Sequence, residues 1–326
     1  MKFKLFVIFL GVLVVFLGLS SNILSAKSTH NKEQLSSSSS LKCIKNTETS
    51  ATFGNYIIEL QSDKAPFLER DGAGALYFNK ELFLIGGWNE YRRNLPRFTA
   101  NDVWKSSDDG VTWQMIKANS YISDKHPVND WEGRHTAGYV VHNGEMFIIG
   151  GDANQGYHID DVWKSSDGAN WELVNKNPPW APRALHLSFS YNGYIYVVGG
   201  QTMPRFVDDN NLDEVYYRDI WRSTDGKNWE KVIVKGDLFT HRGGGGSAIV
   251  FNDEVYIVGG FTYDNIVNLS RDVWTDVWKS SGNLDHWKKI GKTPVNEAGR
   301  GFFYHDLASF DNKLWIIGGA RMGGAQ

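Results

Sequence analysis

The sequence LFLIGG at positions 82–87 recurs four more times with small changes. The other copies are MFIIGG at 146–151, IYVVGG at 195–200, VYIVGG at 255–260 and LWIIGG at 314–319. In each copy a short apolar run, rich in aromatic and β-branched residues, ends at a double glycine, which is typical of a buried strand. A turn signal such as the Asn-Gly at 143–144 separates each run from an earlier apolar one. Because Asn-Gly accepts the positive φ of a tight hairpin, every repeat predicts an antiparallel strand pair.

A second motif follows each of the first four double glycines after a loop of variable length. Its copies are NDVWKSS at 101–107, DDVWKSS at 160–166, RDIWRST at 218–224 and TDVWKSS at 275–281. A further turn and a second tryptophan come next, and in three copies this turn resembles an Asp-box, with a structural role predicted for Asp108, Asp167 and Asp225. Four antiparallel strands in each of several repeats of about 49–64 residues are typical of the blades of a β-propeller.

The double glycines, the spaced tryptophans and the repeat length resemble Kelch repeats over about 53–326. The resemblance implies an all-β Kelch-type β-propeller of four-stranded antiparallel blades, with four full blades and one closing or incomplete blade. NYIIEL at 55–60 aligns with an outer strand, and 302–319 supplies two inner strands, so in one interpretation the two ends combine into a closing blade of three strands. The alternative, favoured by the ending GGARMGGAQ, is a sequence that stops short of a six- or seven-bladed ring.

The first 52 residues have a different composition from the repeats. MKFK and an apolar run from Leu5 to Leu19, too short for a membrane span of about 20 residues, predict a signal peptide at 1–20, with cleavage possible as late as 26. An uncleaved anchor is the alternative. Residues 21–52 are polar and serine-rich, which predicts a flexible tether before a propeller at 53–326. We therefore expect a secreted, periplasmic or cell-surface protein that contacts a membrane only if the N-terminal segment is retained.

Charge and cysteine content exclude several functions. The net charge of −3 provides no basic field for nucleic acid, so no nucleic-acid partner is predicted. The only cysteine, Cys43, lies in the predicted tether, which excludes galactose oxidase, a relative with a Kelch-type domain that needs copper and a cysteine cross-linked to a tyrosine. Asp208-Asp209-Asn210 lacks the spacing of a calcium loop. No metal site and no cofactor are predicted.

An arginine recurs 16 to 18 residues before each double glycine. Because the innermost strands of a propeller surround its axis, these arginines should converge on the face that carries the variable loops, here called the loop face. Guanidinium groups suit a carboxylate or a hydroxyl-rich acid through paired hydrogen bonds. The predicted ligand-binding residues are Arg70, Arg134, His135, Arg183, Arg242, Arg300 and His305. In the alternative, each arginine pairs with a carboxylate of a neighbouring blade or with loop carbonyls and stabilises the ring.

Kelch propellers serve both as enzymes and as docking platforms, so the resemblance implies no single function. Our leading interpretation is an exported binding or interaction protein, more consistent with a non-enzyme, whose ligand is a carbohydrate or an extracellular protein segment. The alternative is a sugar-acid mutarotase, since the chain is similar to the exported Kelch-type N-acetylneuraminate epimerases. In that interpretation an arginine binds the substrate carboxylate while a carboxylate or histidine moves the proton. Glu214 and Arg218, in the longest loop, are the candidate catalytic residues.

Overall fold

The computed structural model describes residues 5–8, 23–28, 44–45, 50–53, 56–62, 65–89, 99–120, 127, 129–153, 158–202, 215–263, 271–293 and 302–321. Every regular element in these ranges is a β-strand, as predicted. Within the same ranges, no helix is long and apolar enough to cross a membrane.

The N-terminal strands form a sheet of their own. They are β1 (Leu5–Ile8), β2 (Ile23–Ser28), β3 (Ile44–Lys45), β4 (Ser50–Phe53) and β5 (Tyr56–Ser62), in the order β1-β2-β5-β4-β3. The expectation that 55–60 completes the closing blade is wrong, because β2 and β4 occupy both edges of β5 and place Ala26 and Ala51 on either side of Ile58. Short strands also occur inside the predicted tether, and the domain boundaries at 20 and 52 stay predictions.

Four antiparallel sheets form the complete blades: three have four strands, and that of blade 4 has a short fifth strand in addition to the usual four. Blade 1 consists of β6 (Gly74–Phe78), β7 (Glu81–Ile85), β8 (Val103–Ser106) and β9 (Gln114–Lys117). Blade 2 consists of β10 (Gly138–His142), β11 (Glu145–Asp152), β12 (His158–Ser165) and β13 (Glu172–Asn175). In blade 3, β14 (Leu187–Tyr191) and β15 (Tyr194–Val198) precede a two-stranded ribbon of β16 (Gln201–Thr202) and β17 (Val215–Tyr216). Its outer strands are β18 (Ile220–Ser223) and β19 (Glu230–Lys231).

Blade 4 and the incomplete fifth blade follow in chain order. Blade 4 consists of β20 (Gly244–Phe251), β21 (Glu254–Tyr263), β22 (Arg271–Val273), β23 (Asp276–Ser280) and β24 (Lys288–Lys292), with β22 extending the edge of β21. Blade 5 consists of β25 (Phe302–Phe310) and β26 (Lys313–Arg321). The innermost strands contact one another in the order β6, β10, β14, β20 and β25, so the blades follow an arc. The prediction of four full blades and one incomplete blade is confirmed.

The core lies between successive blades because alternate residues of each second strand face opposite neighbours. In blade 2, Ile148 packs with Phe83 of blade 1, whereas Ile149 packs with Val197 of blade 3. Val198 then belongs to the cluster shared by blades 3 and 4. Because these side chains are at most 2% exposed, blade-to-blade burial of apolar surface is the main source of stability.

The double glycine lies toward the loop face on each second strand, which stops just before it in blades 1 and 3 and continues through it in blades 2, 4 and 5. Gly86 has φ of +63°, and a Cβ atom there would lie 3.0 Å from the carbonyl oxygen of Arg134 in the next blade. Any other residue would be strained by this backbone conformation and would press against the neighbouring chain. The double glycine therefore marks a close approach between two successive blades.

Candidate functional site

Four of the five arginines that recur before the double glycines lie in the described ranges, and each makes the same set of side-chain hydrogen bonds inside its own blade. In blade 3 the Nη1 of Arg183 donates to the carbonyl oxygen of Gly199 at 2.9 Å and to Oδ1 of Asp219 at 2.6 Å. Its Nη2 donates to Oδ2 of Asp219 at 3.2 Å, and its Nε donates to the carbonyl oxygen of Ala181 at 3.1 Å. The indole of Trp221 donates to the same carboxylate at 2.8 Å. This network, here called the clamp, joins the start of the blade to its second and third strands.

The clamp is repeated at Arg70 with Asp102, Arg134 with Asp161 and Arg242 with Asp276. In every copy the guanidinium also lies within about 6 Å of an aromatic ring three residues earlier, at Phe67, Trp131, Trp180 or Phe239. Burial alone would raise the pKa of Asp219, but the hydrogen bond and charge of Arg183 outweigh it and hold that pKa below its ordinary value. The charges of the arginine and the aspartate therefore compensate each other within the same blade.

This geometry favours a scaffold role for Arg70, Arg134, Arg183 and Arg242 over the predicted ligand role. At least four of the five N–H groups of each guanidinium are used, and the side chain of Arg134 is fully buried. The partner also differs from the one expected, since it comes from the same blade and not from a neighbour. The sequence contains a signal for this partner, because each aspartate of an Asp-x-Trp motif follows one of the recurrent arginines in the same repeat.

The remaining predicted residues have different positions. Arg300 and Glu214 lie outside the described residues. His305, on β25, is 3% exposed, and burial lowers its pKa to about 4 while its ring interacts with the backbone of Val258 in blade 4. His186 has the same position in blade 3, and burial together with the charge of Arg183 lowers its pKa to about 3. Both are neutral histidines held between blades, so this geometry favours a packing role for His305.

Arg218 is exposed on the loop face. It lies beside His241, whose pKa is lowered by burial and by the positive charge of Arg218. Its neighbour Asp219 belongs to the clamp of Arg183. Arg218 is thus accessible to a ligand, in contrast to the four clamped arginines.

A row of polar side chains crosses the loop end of blade 2. The backbones of His135 and Asp152 are paired through two hydrogen bonds of 3.0 Å, and Asp152 pairs in turn with His158. Directly paired residues of antiparallel strands project on the same face, so the three side chains lie in a row, with 3.8 Å between His135 Nδ1 and Asp152 Oδ2. Burial lowers the pKa of His158, and the ring of Trp88 lies 6.3 Å from that of His135. We call His135, Asp152 and His158 the polar row.

The predicted ligand-binding residues included His135 but neither Asp152 nor His158. The missed signal is positional, because Asp152 is the residue immediately after a double glycine. In the five repeats the residue at that position is Trp88, Asp152, Gln201, Phe261 or Ala320. Gln201 is fully buried, and neither polar atom of its side chain has a hydrogen-bond partner among the described residues. An unpaired buried amide is costly, so Gln201 has an unmet hydrogen-bonding requirement at this position of blade 3.

The described ranges contain no group of three or more histidine, cysteine, aspartate or glutamate residues that could hold a metal ion. The chemistry that the polar row offers is hydrogen bonding and proton transfer.

Several known proteins with similar sequences are named as Kelch proteins. Kelch domain-containing protein 3 of Rattus norvegicus is 25% identical over 180 residues, which are 51% of this chain and 41% of the relative. Kelch domain-containing protein 1 of Mus musculus is 22% identical over 271 residues, 77% of this chain and 63% of the relative. The chain thus spans less than two thirds of the length of these relatives.

A solved structure described as "Structure of YjhT" matches with a TM-score of 0.63 and 16% identity, covering 85% of this chain and 86% of that one. At this identity the likeness shows the fold alone. The model of the KLHDC2/KLHL20/DRC7 Kelch-repeats domain matches residues 72–319, from the start of blade 1 to the last double glycine. With its repeated strands, double glycines and clamps, the chain belongs to this Kelch-repeat family and folds as a Kelch-type β-propeller.

Proposed function

We propose that this propeller is a binding module that holds an extended protein segment on its loop face, at the polar row. The observation that carries the proposal is the cross-strand alignment of His135, Asp152 and His158 beside the ring of Trp88. The side chain of His135 is 14% exposed and can contact a bound chain directly, whereas Asp152, at 1% exposed, acts through His135. The aromatic ring of Trp88 offers the bound chain an apolar surface. Nε2 of His158 is buried and has no hydrogen-bond partner among the described residues, so a polar ligand group would satisfy it.

The two faces of the propeller support this placement. On the hairpin face, opposite the loop face, the Asp-box carboxylates bind their own turns, as when Asp225 accepts from the backbone N–H groups of Lys227 and Asn228 at 2.8 Å. Those groups are occupied in maintaining the scaffold. Variable loops on a rigid frame are the usual place for recognition.

The test is a screen of the purified full-length chain against a displayed peptide library and a glycan array, followed by variants. Asp152→Asn keeps the size of the side chain and removes the charge, and it should weaken a selected peptide about tenfold or more. Asp225→Asn is the matched control on the hairpin face and should leave affinity unchanged. Equal affinity of the Asp152→Asn variant and the original protein would place the ligand elsewhere. Selection of glycans and no peptides would assign the site to a carbohydrate.

Export is part of this proposal, with the protein secreted, periplasmic or displayed at the cell surface. Its support is the basic start, the short apolar run and the polar segment that follows. Expression of the full chain in its host, followed by N-terminal sequencing of the exported protein, should find a new terminus near residue 21 or 27. A protein that stays inside the cell with Met1 intact would contradict export.

The pairing of a histidine with a carboxylate in the polar row also favours a second candidate function, the sugar-acid mutarotase. His135, with a side chain 14% exposed, would move the proton, with Asp152 orienting the ring. In this second candidate function, Arg218 would bind the substrate carboxylate, and Glu214, four residues earlier in the sequence, would be a further proton donor or acceptor. Proton NMR of freshly dissolved α-N-acetylneuraminate should then reach the anomeric equilibrium faster with the protein than with the His135→Gln variant. Relaxation at the rate of buffer alone would exclude this activity.

A further inference from the structure

Five two-residue turns on the hairpin face have the same position, between the first and second strands of each blade. The first residue of every turn is exposed and has a positive φ, between +47° and +52°. The turns therefore share the conformation of their first residue and differ in the second residue. In chain order they are Asn79-Lys80, Asn143-Gly144, Asn192-Gly193, Asn252-Asp253 and Asp311-Asn312.

In blades 2 and 3 a glycine follows the asparagine of this turn. The backbone nitrogen after an asparagine can attack its Cγ atom, which closes a five-membered succinimide ring and releases ammonia. A side chain on the attacking residue hinders this approach, and glycine has none. A Cβ atom added at Gly144 or Gly193 would find no atom within 4 Å, so the surrounding structure also leaves space for the ring.

The Asp-box turns on the same face contain Asp-Gly pairs that are better protected. Asp225, which precedes Gly226, accepts from the backbone N–H groups of Lys227 and Asn228 at 2.8 Å. Burial alone would raise the pKa of Asp225, but these hydrogen bonds outweigh it and hold that pKa at about 2. An ionised carboxylate has no good leaving group, so ring closure is disfavoured there. The reaction is thus directed to the two Asn-Gly turns.

The residue before each Asn-Gly pair joins its blade to the next one. In blade 2, Nε2 of His142 donates to the carbonyl oxygen of Thr224 at 3.2 Å, and the hydroxyl of Ser190 donates to Nδ1 at 2.8 Å. Both partners belong to blade 3. In blade 3, the hydroxyl of Tyr191 donates to the carbonyl oxygen of Asp253 in blade 4 at 2.9 Å and accepts from the N–H of Gly282 at 3.0 Å.

We propose that Asn143 and Asn192 are sites of spontaneous deamidation, and that the isoaspartate formed there weakens the contacts of blade 3 with blades 2 and 4. Water opens the succinimide at either carbonyl, giving aspartate or isoaspartate, so one water is consumed and one ammonia is released. Isoaspartate adds a methylene group to the main chain. A two-residue turn lengthened in this way no longer fits the closing pairs His142↔Glu145 and Tyr191↔Tyr194.

The first test incubates the full-length protein in mildly alkaline buffer until a free peptide of residues 139–148 is half-modified. Peptide mass spectrometry with electron-transfer fragmentation distinguishes isoaspartate from aspartate. Asn143 and Asn192 should be modified at least about tenfold faster than Asn79 and Asn252, which have the same turn position but no following glycine. No modification at Asn143 and Asn192, or equal rates at all four asparagines, would overturn the proposal.

A variant separates the following residue from all other causes. Gly144→Lys gives blade 2 the Asn-Lys turn that blade 1 has, where Lys80 adopts φ of +66° within a regular hairpin. Modification of Asn143 should fall at least about tenfold, while Asn192 in the same molecule reacts as before. If Asn143 reacts equally fast in this variant, the glycine has no role and the proposal is wrong.

The consequence for the blades is measured by urea denaturation. The midpoint of the incubated original protein should be lower than that of fresh protein, whereas the double variant Gly144→Lys with Gly193→Lys should keep its midpoint. Unchanged midpoints in the modified protein would show that isoaspartate leaves the blade contacts intact. Asn143→Asp adds the charge without lengthening the main chain and should have a smaller effect; an equal loss would assign the effect to charge and contradict the role of isoaspartate.

Discussion

Replacing Arg183 by methionine tests the clamp most directly. The substitution keeps the length of the side chain but removes the donors to Asp219, Gly199 and Ala181. The arginine side chain is 1% exposed and the carboxylate 18%, so the change leaves a mostly buried charge without its partner. Breaking such a pair costs about 3–5 kcal/mol of the free energy of unfolding. The same substitution at Arg222, whose partner Glu230 is 60% exposed, should cost at most about 1 kcal/mol.

Urea denaturation followed by tryptophan fluorescence measures both variants under the same conditions. The double variant Arg183→Met with Asp219→Asn should recover part of the loss, because the unpaired charge is neutralised. A midpoint for Arg183→Met no lower than that for Arg222→Met would refute the structural role of the clamp. If that variant also lost a ligand found in the screen, Arg183 would belong to a binding site after all.

The remaining predictions concern the packing between blades. The unfolded chain takes up a proton at His186 near pH 6.5, whereas burial and Arg183 hold the folded pKa at about 3, so stability should fall as the pH falls from 6.5, by up to about 1.4 kcal/mol per pH unit. In urea titrations at several pH values, His186→Gln should give a shallower slope; an unchanged slope would contradict this. Gly138→Ala would overlap Ser188 and lower stability by about 1–3 kcal/mol, with partial recovery by Ser188→Ala. Gly291→Ala places no atom within 4 Å of the new Cβ and should leave the free energy of unfolding in urea nearly unchanged. An equal loss of stability at Gly138 and Gly291 would contradict the close packing of Gly138 against blade 3.

Most of the fold was predictable because its signals are local and repeated. The Asn-Gly turn at 143–144 adopts the positive φ values expected of a tight hairpin, at +47° and +76°. The Asp-box at Asp167 binds the backbone N–H groups of its turn as expected. The pairing of β5 was not predictable, because an alternating strand such as Tyr56–Ser62 fits many partners and nothing in its own residues selects one.

The site was less predictable than the fold because charge alone does not reveal a partner. From its charge alone, Arg134 suits either a ligand or a carboxylate of the protein, and the structure shows that Asp161, 27 residues later, is within hydrogen-bonding distance. The histidines present the same difficulty, since His135 is partly exposed in the polar row and His305 is enclosed between blades. Exposure, which depends on the neighbouring blade, separates these roles.

Since every clamp is closed within one blade, the blade is also a natural unit of gene duplication. A copy of residues 67–113 carries the aromatic ring of Phe67, Arg70, the carbonyl oxygen of Gly86 and Asp102, and therefore all the partners of its own clamp. If the clamp joined two blades, a duplicated blade would need its arginine or aspartate partner to be present in the adjacent, existing blade. With the clamp inside the blade, an ancestral repeat can multiply, and its loops can then diverge, without loss of the bonds that hold each unit together.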